Sequence, residues 1–163
     1  MRYGGMNKMK YSGSMFVVDN RERTIQFYKE ILGLRVTVDF GANFTMTGGI
    51  SFQTKESWIE FINCDSQDIH YRGRDAEIYF ETEDLDEFLT LLHSRDDIEY
   101  VHPLKTHDWG QRGIRFYDPD YHIIEVSETL TQVCRRFQAQ GKSVEEISAI
   151  TMLSPKVIEK MLK

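Results

Sequence analysis

The sequence predicts an α+β fold of two tandem βαβββ modules followed by a C-terminal helical appendage. Three observations carry this reading. The order strand, helix, strand, strand, strand can be read twice, over about residues 11–62 and 76–128. Glycine pairs and an Asp-Pro-Asp turn punctuate short runs rich in β-branched and aromatic residues. The charge balance changes sign after residue 128: the first 128 residues hold 14 Lys and Arg against 23 Asp and Glu, the last 35 hold 6 against 3. With 163 residues, the chain is long enough to close one ordinary core and little more, which divides it into an N-terminal extension (1–10), a main domain (11–128) and a helical extension (129–163).

Each element has a local reason. Residues 11–18 are small, aromatic or β-branched and end at Asp19-Asn20, a turn and N-cap signal, so a strand leads into a helix. Over residues 24–34, Ile25, Phe27, Tyr28, Ile31, Leu32 and Leu34 recur at spacings of three and four, and Gly33 stands where a C-cap glycine ends a helix. Three short strands follow at 35–40, 43–47 and 50–53, separated by Gly41 and by Gly48-Gly49, and a helical patch at 56–62 leads into a polar link over 63–75. The second module repeats the order with a strand at 76–82, a helix at 84–93 and strands at 98–102, 113–117 and 123–126. Beyond it, helical periodicity covers 129–140, Ser143-Val-Glu-Glu146 fits a capping box, and Ser154-Pro155 opens a last helix with proline at its first position.

Composition excludes several function classes. No run approaches the ~18 apolar residues of a membrane span, and the polar N-terminus shows no legible secretory signal, so the expected location is the cytoplasm. Cys64 and Cys134 form neither a CxxC pair nor a framework and read as reduced thiols. An acidic body repels a phosphate backbone, so nucleic acid is not the expected partner. The tail over 141–162 has faint helix-turn-helix character, but its last helix offers only Lys156, Lys160 and Lys163, and docking on the main domain or on a partner is the stronger reading.

Two stretches resemble a known superfamily. Val17-Val18-Asp19 followed by Ile25-Gln-Phe27-Tyr28-Lys-Glu-Ile31-Leu32-Gly33-Leu34 resembles the first strand and helix of the glyoxalase/bleomycin-resistance/dioxygenase, or vicinal oxygen chelate, proteins. Arg115-Phe116-Tyr117-Asp118-Pro119-Asp120-Tyr121-His122-Ile123-Ile124-Glu125-Val126 resembles their closing hairpin, with Tyr121 where glycine is usual. A turn without positive φ, or mild strain, would accommodate that tyrosine.

The resemblance implies a curved half-barrel cleft holding a small molecule and often a divalent metal. It also implies metal ligands on the first strand of each module, commonly His, and on the last, commonly Glu. Carried over position by position, these fall on Ser12 and Glu77, on Ser51 or Gln53, and on Glu125. The imidazoles are missing, and a catalytic transition-metal site normally includes them. The expected cofactor is therefore none, or a weakly bound divalent cation (Mg, Mn, Zn or Ni) on Glu77 and Glu125. Without a cation these two carboxylates would repel and one pKa would rise, making Glu125 or Glu77 a candidate general acid or base.

The aromatic and basic run His107-Asp108-Trp109-Gly110-Gln111-Arg112-Gly113 corresponds to a segment bordering the pocket in that superfamily. Trp109 is a candidate for stacking on a ligand, and Arg112 or Arg115 for binding a carboxylate. The expected function is binding of a small polar organic molecule, with Gln53 and Ser12 also lining the cleft. The alternatives are a metal-dependent lyase or isomerase of the lactoylglutathione lyase type, with His107 as a further ligand, and a regulator acting through its helical tail. By resemblance the chain is expected to be a homodimer.

Overall fold

The structure is a computed structural model that describes residues 9–163; most of the N-terminal extension, residues 1–8, lies outside the described residues. The chain divides between Ile69 and His70 into two compact units.

The first unit contains β1 (Met15–Val18), α1 (Arg21–Leu32), β2 (Val36–Asp39), β3 (Asn43–Met46), β4 (Ser51–Thr54) and α2 (Lys55–Ile62). The sheet order is β1-β4-β3-β2, with β1 parallel to β4 and the other pairs antiparallel. Helix α1 starts where the Asn20 side chain accepts from the Arg23 amide at 2.9 Å, satisfying one of the free N–H groups of the first turn. Its buried stripe, Thr24, Phe27, Tyr28 and Ile31, packs on the face bearing Phe44 and Phe52; the rings of Tyr28 and Phe52 are 4.8 Å apart. Period-two alternation places Asn43, Thr45, Ser51 and Gln53 on the opposite, polar face.

The second unit repeats the topology with β5 (Glu77–Thr82), α3 (Leu85–His93), β6 (Tyr100–Thr106), β7 (Arg112–Tyr117) and β8 (Ile123–Glu128), in the order β5-β8-β7-β6. Strands β5 and β8 run parallel, Glu77 opposite Ile123 and Tyr79 opposite Glu125; β7 runs antiparallel to β8, with Arg115 opposite Glu125. Helix α3, capped by Asp84 on the Glu87 amide at 2.9 Å, buries Leu85, Leu89 and Leu92, and its Phe88 ring is 6.2 Å from Phe116. The helix side of the sheet therefore carries Ile78, Ile114, Phe116, Ile124 and Val126.

The C-terminal helices α4 (Leu130–Ala139), α5 (Val144–Thr151) and α6 (Pro155–Met161) belong to this second unit. They share a core of Val133, Cys134, Phe137, Ile147 and Ile158, and the Ser143–Glu146 capping box is formed in both directions.

Two strands differ from expectation. The first strand begins at Met15, leaving residues 11–14 exposed and irregular, so Ser12 is not on a strand. Gly13, at φ 144°, breaks the extended run. Strand β6 runs on to Thr106 through Pro103, because it is a sheet edge on which a missing N–H leaves no ladder bond unmade. At the closing turn, the mild-strain alternative is the one realised: Tyr121 has φ 65°. Its amide donates to the Asp118 carbonyl at 3.0 Å, and the Arg72 guanidinium lies 3.8 Å over its ring.

Candidate functional site

The face of the second sheet away from α3 is polar. Alternation and register put Glu77, Tyr79 and Glu81 of β5 there, with Ile123, Glu125 and Ser127 of β8 and Gly113, Arg115 and Tyr117 of β7. Glu77 and Glu125, 48 positions apart in the chain, are brought together here because β5 and β8 are neighbours and Arg115 reaches both.

Arg115 organises the group. Its Nε donates to Glu77 Oε2 at 2.7 Å and its Nη2 to Glu125 Oε2. Its Nη1 lies 3.3 Å from His102 Nε2. The other nitrogen of that ring, Nδ1, is 2.7 Å from the Pro103 carbonyl, which can only accept; Nδ1 is thus the donor and Nε2 the acceptor toward Arg115. The second Glu125 oxygen accepts from Ser127 Oγ at 2.6 Å. Gly113 makes this possible, since a Cβ there would stand 2.2 Å from the Ser127 hydroxyl.

The electrostatics follow from this geometry and bear on one expectation. Glu77 is not raised by repulsion from its neighbouring acid. The Arg115 hydrogen bond, outweighing partial burial, holds Glu77 below its ordinary pKa, and Glu77 in turn is the main cause of the raised Arg115 value. The reason is that a guanidinium stands between the two acids. The Glu125 side chain is 6% exposed and that of Glu77 37%, so the pair is deep at one end and open at the other.

These residues do not fit a divalent metal. The oxygens that would face the ion already accept from Arg115, and among the described residues no three His, Cys, Asp or Glu side chains are grouped so as to hold one.

The remaining candidates are placed separately. Arg112, three residues before Arg115 on the same strand, points to the other side of the sheet, where it pairs with buried Glu128 and with Asp86 of α3. Arg136 of α4 completes that network, with Nη2 2.9 Å from Glu128. Burial by itself would raise the Glu128 carboxyl, but Arg136, the Arg112 amide and the Arg112 guanidinium together hold it below its ordinary value.

Trp109 and His107 stack on each other with ring centroids 4.4 Å apart. Trp109 Nε1 donates to Gln111 at 3.0 Å, and Gln111 Nε2 donates to the Tyr79 hydroxyl at 3.2 Å, so this loop reaches the edge of the polar face. In the first unit, Gln53 is buried and bonded to Asn43 and Ser57, Ser51 shares a hydroxyl pair with Thr45, and Ser12 is exposed.

Sequence reasoning missed His102, Tyr79, Ser127 and Gln111. The alternation of charged and aromatic residues with apolar ones over 77–81 was the available signal for Tyr79, as was that over 123–127 for Ser127. His102 sits next to a proline that reads as a strand end.

Residues 11–131 match the model of the glyoxalase-like domain. The chain belongs to the glyoxalase-like domain family. This glyoxalase-like chain is also similar to a protein of unknown function from Agrobacterium tumefaciens str. C58, with 31% identity, a TM-score of 0.66, and 76% of this chain and 97% of the other covered. The fold is shared with a glyoxalase/bleomycin resistance protein/dioxygenase from Nocardioides at 18% identity and TM-score 0.60, over 76% of this chain and 85% of that one. It is shared too with a glyoxalase-related enzyme from Fulvimarina pelagi at 13% identity and TM-score 0.62, over 76% and 91%. No curated protein matches the chain. Among the described residues no helix is long and apolar enough to cross a membrane.

Proposed function

We propose that this glyoxalase-like protein binds a small polar organic molecule on the polar face of its second module, without a transition metal. One observation carries the reading: Arg115 stands between Glu77 and Glu125, two of the four positions where the family resemblance places metal ligands. A guanidinium there supplies the positive charge that would otherwise come from an ion, and supplies it in a fixed fork.

Two carboxylates against one guanidinium leave the cluster with an excess negative charge. The half-exposed Tyr79 ring flanks it, together with the open end of Glu77. Such a surface favours a ligand that offers hydrogen-bond donors or a positive group, with an aromatic ring to lie against. Glu125, buried and bonded to Arg115 and Ser127, acts in this reading as the anchor that holds Arg115 in place, and Glu77 as the exchangeable contact.

The test is a thermal-shift screen of the purified protein against a library of small polar organic compounds, with hits measured by calorimetry. The expected result is a hit whose affinity falls at least tenfold in Arg115→Lys, because the fork is lost, and also falls in Tyr79→Leu. A hit unaffected by both substitutions would remove this face as the site. A hit that binds only with added Zn, Mn or Ni would favour the metal-dependent lyase instead.

A further inference from the structure

The C-terminal helices touch the polar face through a continuous set of contacts. The Phe137 ring of α4 lies against the backbone of Gly110, so closely that a Cβ on Gly110 would stand 2.4 Å from it; Gly110, at φ 87°, has none. Next to it, Arg136 Nη2 donates to the Gly110 carbonyl at 2.6 Å. Gly110 closes a tight turn, its amide on the His107 carbonyl at 2.8 Å and the His107 amide on the Gln111 carbonyl at 2.9 Å.

Gln111, buried, is saturated on the far side of that turn. Its Oε1 accepts from Trp109, and its Nε2 donates both to the Glu128 carbonyl at 2.6 Å and to the Tyr79 hydroxyl at 3.2 Å. The Tyr79 hydroxyl in turn donates a hydrogen bond to Glu81 Oε1 at 2.9 Å. Glu128 offers a second route from the same helix, since its carboxylate holds Arg136 while its carbonyl holds Gln111.

We infer that the C-terminal helices are a positioning element of the polar face: α4 fixes the turn at 107–111, and that turn, through Gln111, fixes the Tyr79 hydroxyl. A contact loosened at Phe137 or Arg136 is felt at Tyr79 although neither residue touches it. By linkage, an event that displaces α4 changes what the polar face binds, and a ligand seated against Tyr79 tightens α4. This last step rests on the polar face being the ligand site; the structural coupling does not.

The coupling can be read with no ligand. Burial and the Glu81 carboxylate hold the Tyr79 phenol above its ordinary pKa, while Gln111, donating to the oxygen, pulls it down. Loss of the Gln111 bond therefore raises it further. Ring-labelled tyrosine, assigned with Tyr79→Phe, is titrated by NMR in Phe137→Leu, Arg136→Gln and Gln111→Leu, with amide exchange at Gly110 recorded alongside. Ile158→Val, in the tail core but away from the turn, is the control.

The three variants are expected to raise the Tyr79 titration midpoint, and the two tail variants to speed Gly110 exchange about tenfold, with Ile158→Val moving neither. An unchanged Tyr79 midpoint in Phe137→Leu and Arg136→Gln, with the tail still folded by its methyl NMR signals, overturns the inference and leaves the ligand reading standing. Equal shifts in Ile158→Val overturn it as well, since the effect would then be general loosening. If the shifts occur but no library compound shows a tail-dependent affinity, the coupling holds and the placement of the ligand fails.

Discussion

Replacing Arg115 with methionine keeps the length and apolar stem of the side chain and removes its charge, so the result isolates the guanidinium. Its two carboxylate contacts differ in depth. Glu125 is 6% exposed, and charges about 4 Å apart at an effective dielectric of about 20 attract by about 4 kcal/mol. Without Arg115, Glu125 keeps the Ser127 bond but faces Glu77 with no cation between them, and leaving one partner of a buried pair alone costs roughly 3–5 kcal/mol. The Arg115 side chain is itself 24% exposed, and water can reach part of the gap, so the expected loss on this side is about 2–3 kcal/mol. The Glu77 contact, 37% exposed on its carboxylate, adds no more than about 0.5–1 kcal/mol. The total, about 3 kcal/mol, is read by urea denaturation at neutral pH, with Glu77→Gln as the comparison at about 0.5 kcal/mol. On acidification through the lowered Glu77 pKa, which the Arg115 hydrogen bond holds down, the cost of Arg115→Met should shrink. A loss under 1 kcal/mol at neutral pH, or one that grows on acidification, would refute the idea that Arg115 neutralises a buried acid.

Other outcomes follow from the same geometry. Glu128→Gln leaves Arg112 and Arg136 facing each other on the helix side, and chemical denaturation should show a loss of about 3 kcal/mol. Glu77 and Glu128 both have folded pKa values below the unfolded ones. Their stabilisation is therefore complete above the ordinary carboxyl value near 4.5 and is lost as pH falls through the depressed values. A denaturation midpoint that rises on acidification from pH 5 to 3 would contradict this. At the closing turn, Tyr121→Gly and Tyr121→Ala both lose the contact with Arg72, but only glycine relieves the positive φ. The glycine variant should be the more stable of the two by about 1 kcal/mol in a melting comparison, and the reverse order would show that the backbone is not strained there.

Local signals predicted local structure well. Asn20 and Gly33 bracket α1 with a capping side chain and a left-handed terminus, and Ser143 with Glu146 does the same for the start of α5. Errors fell where a nonlocal fact decides the outcome. Pro103 is a strand breaker in the interior of a sheet, and only the sheet order shows that β6 is an edge.

Arg115 and Glu125 were recognisable from the closing-hairpin motif, and Glu77 from the first-strand position that the resemblance implies for the second module, yet their pairing depends on β5 lying parallel beside β8. That adjacency follows from topology and not from any spacing in the chain. Arg112 and Arg115 looked interchangeable until strand β7 was seen to include both; residues three apart on a strand face opposite sides. One arginine thus serves the acidic pair and the other the anchor of the tail.

The central claim is that the protein's own guanidinium occupies the place of an ion. Its most direct test is the metal content of the purified protein and of Glu125→Gln, by mass spectrometry after growth with added Zn, Mn and Ni. Far less than one equivalent of transition metal per chain is expected in both. A full equivalent in the unaltered protein, lost in the variant, would contradict it.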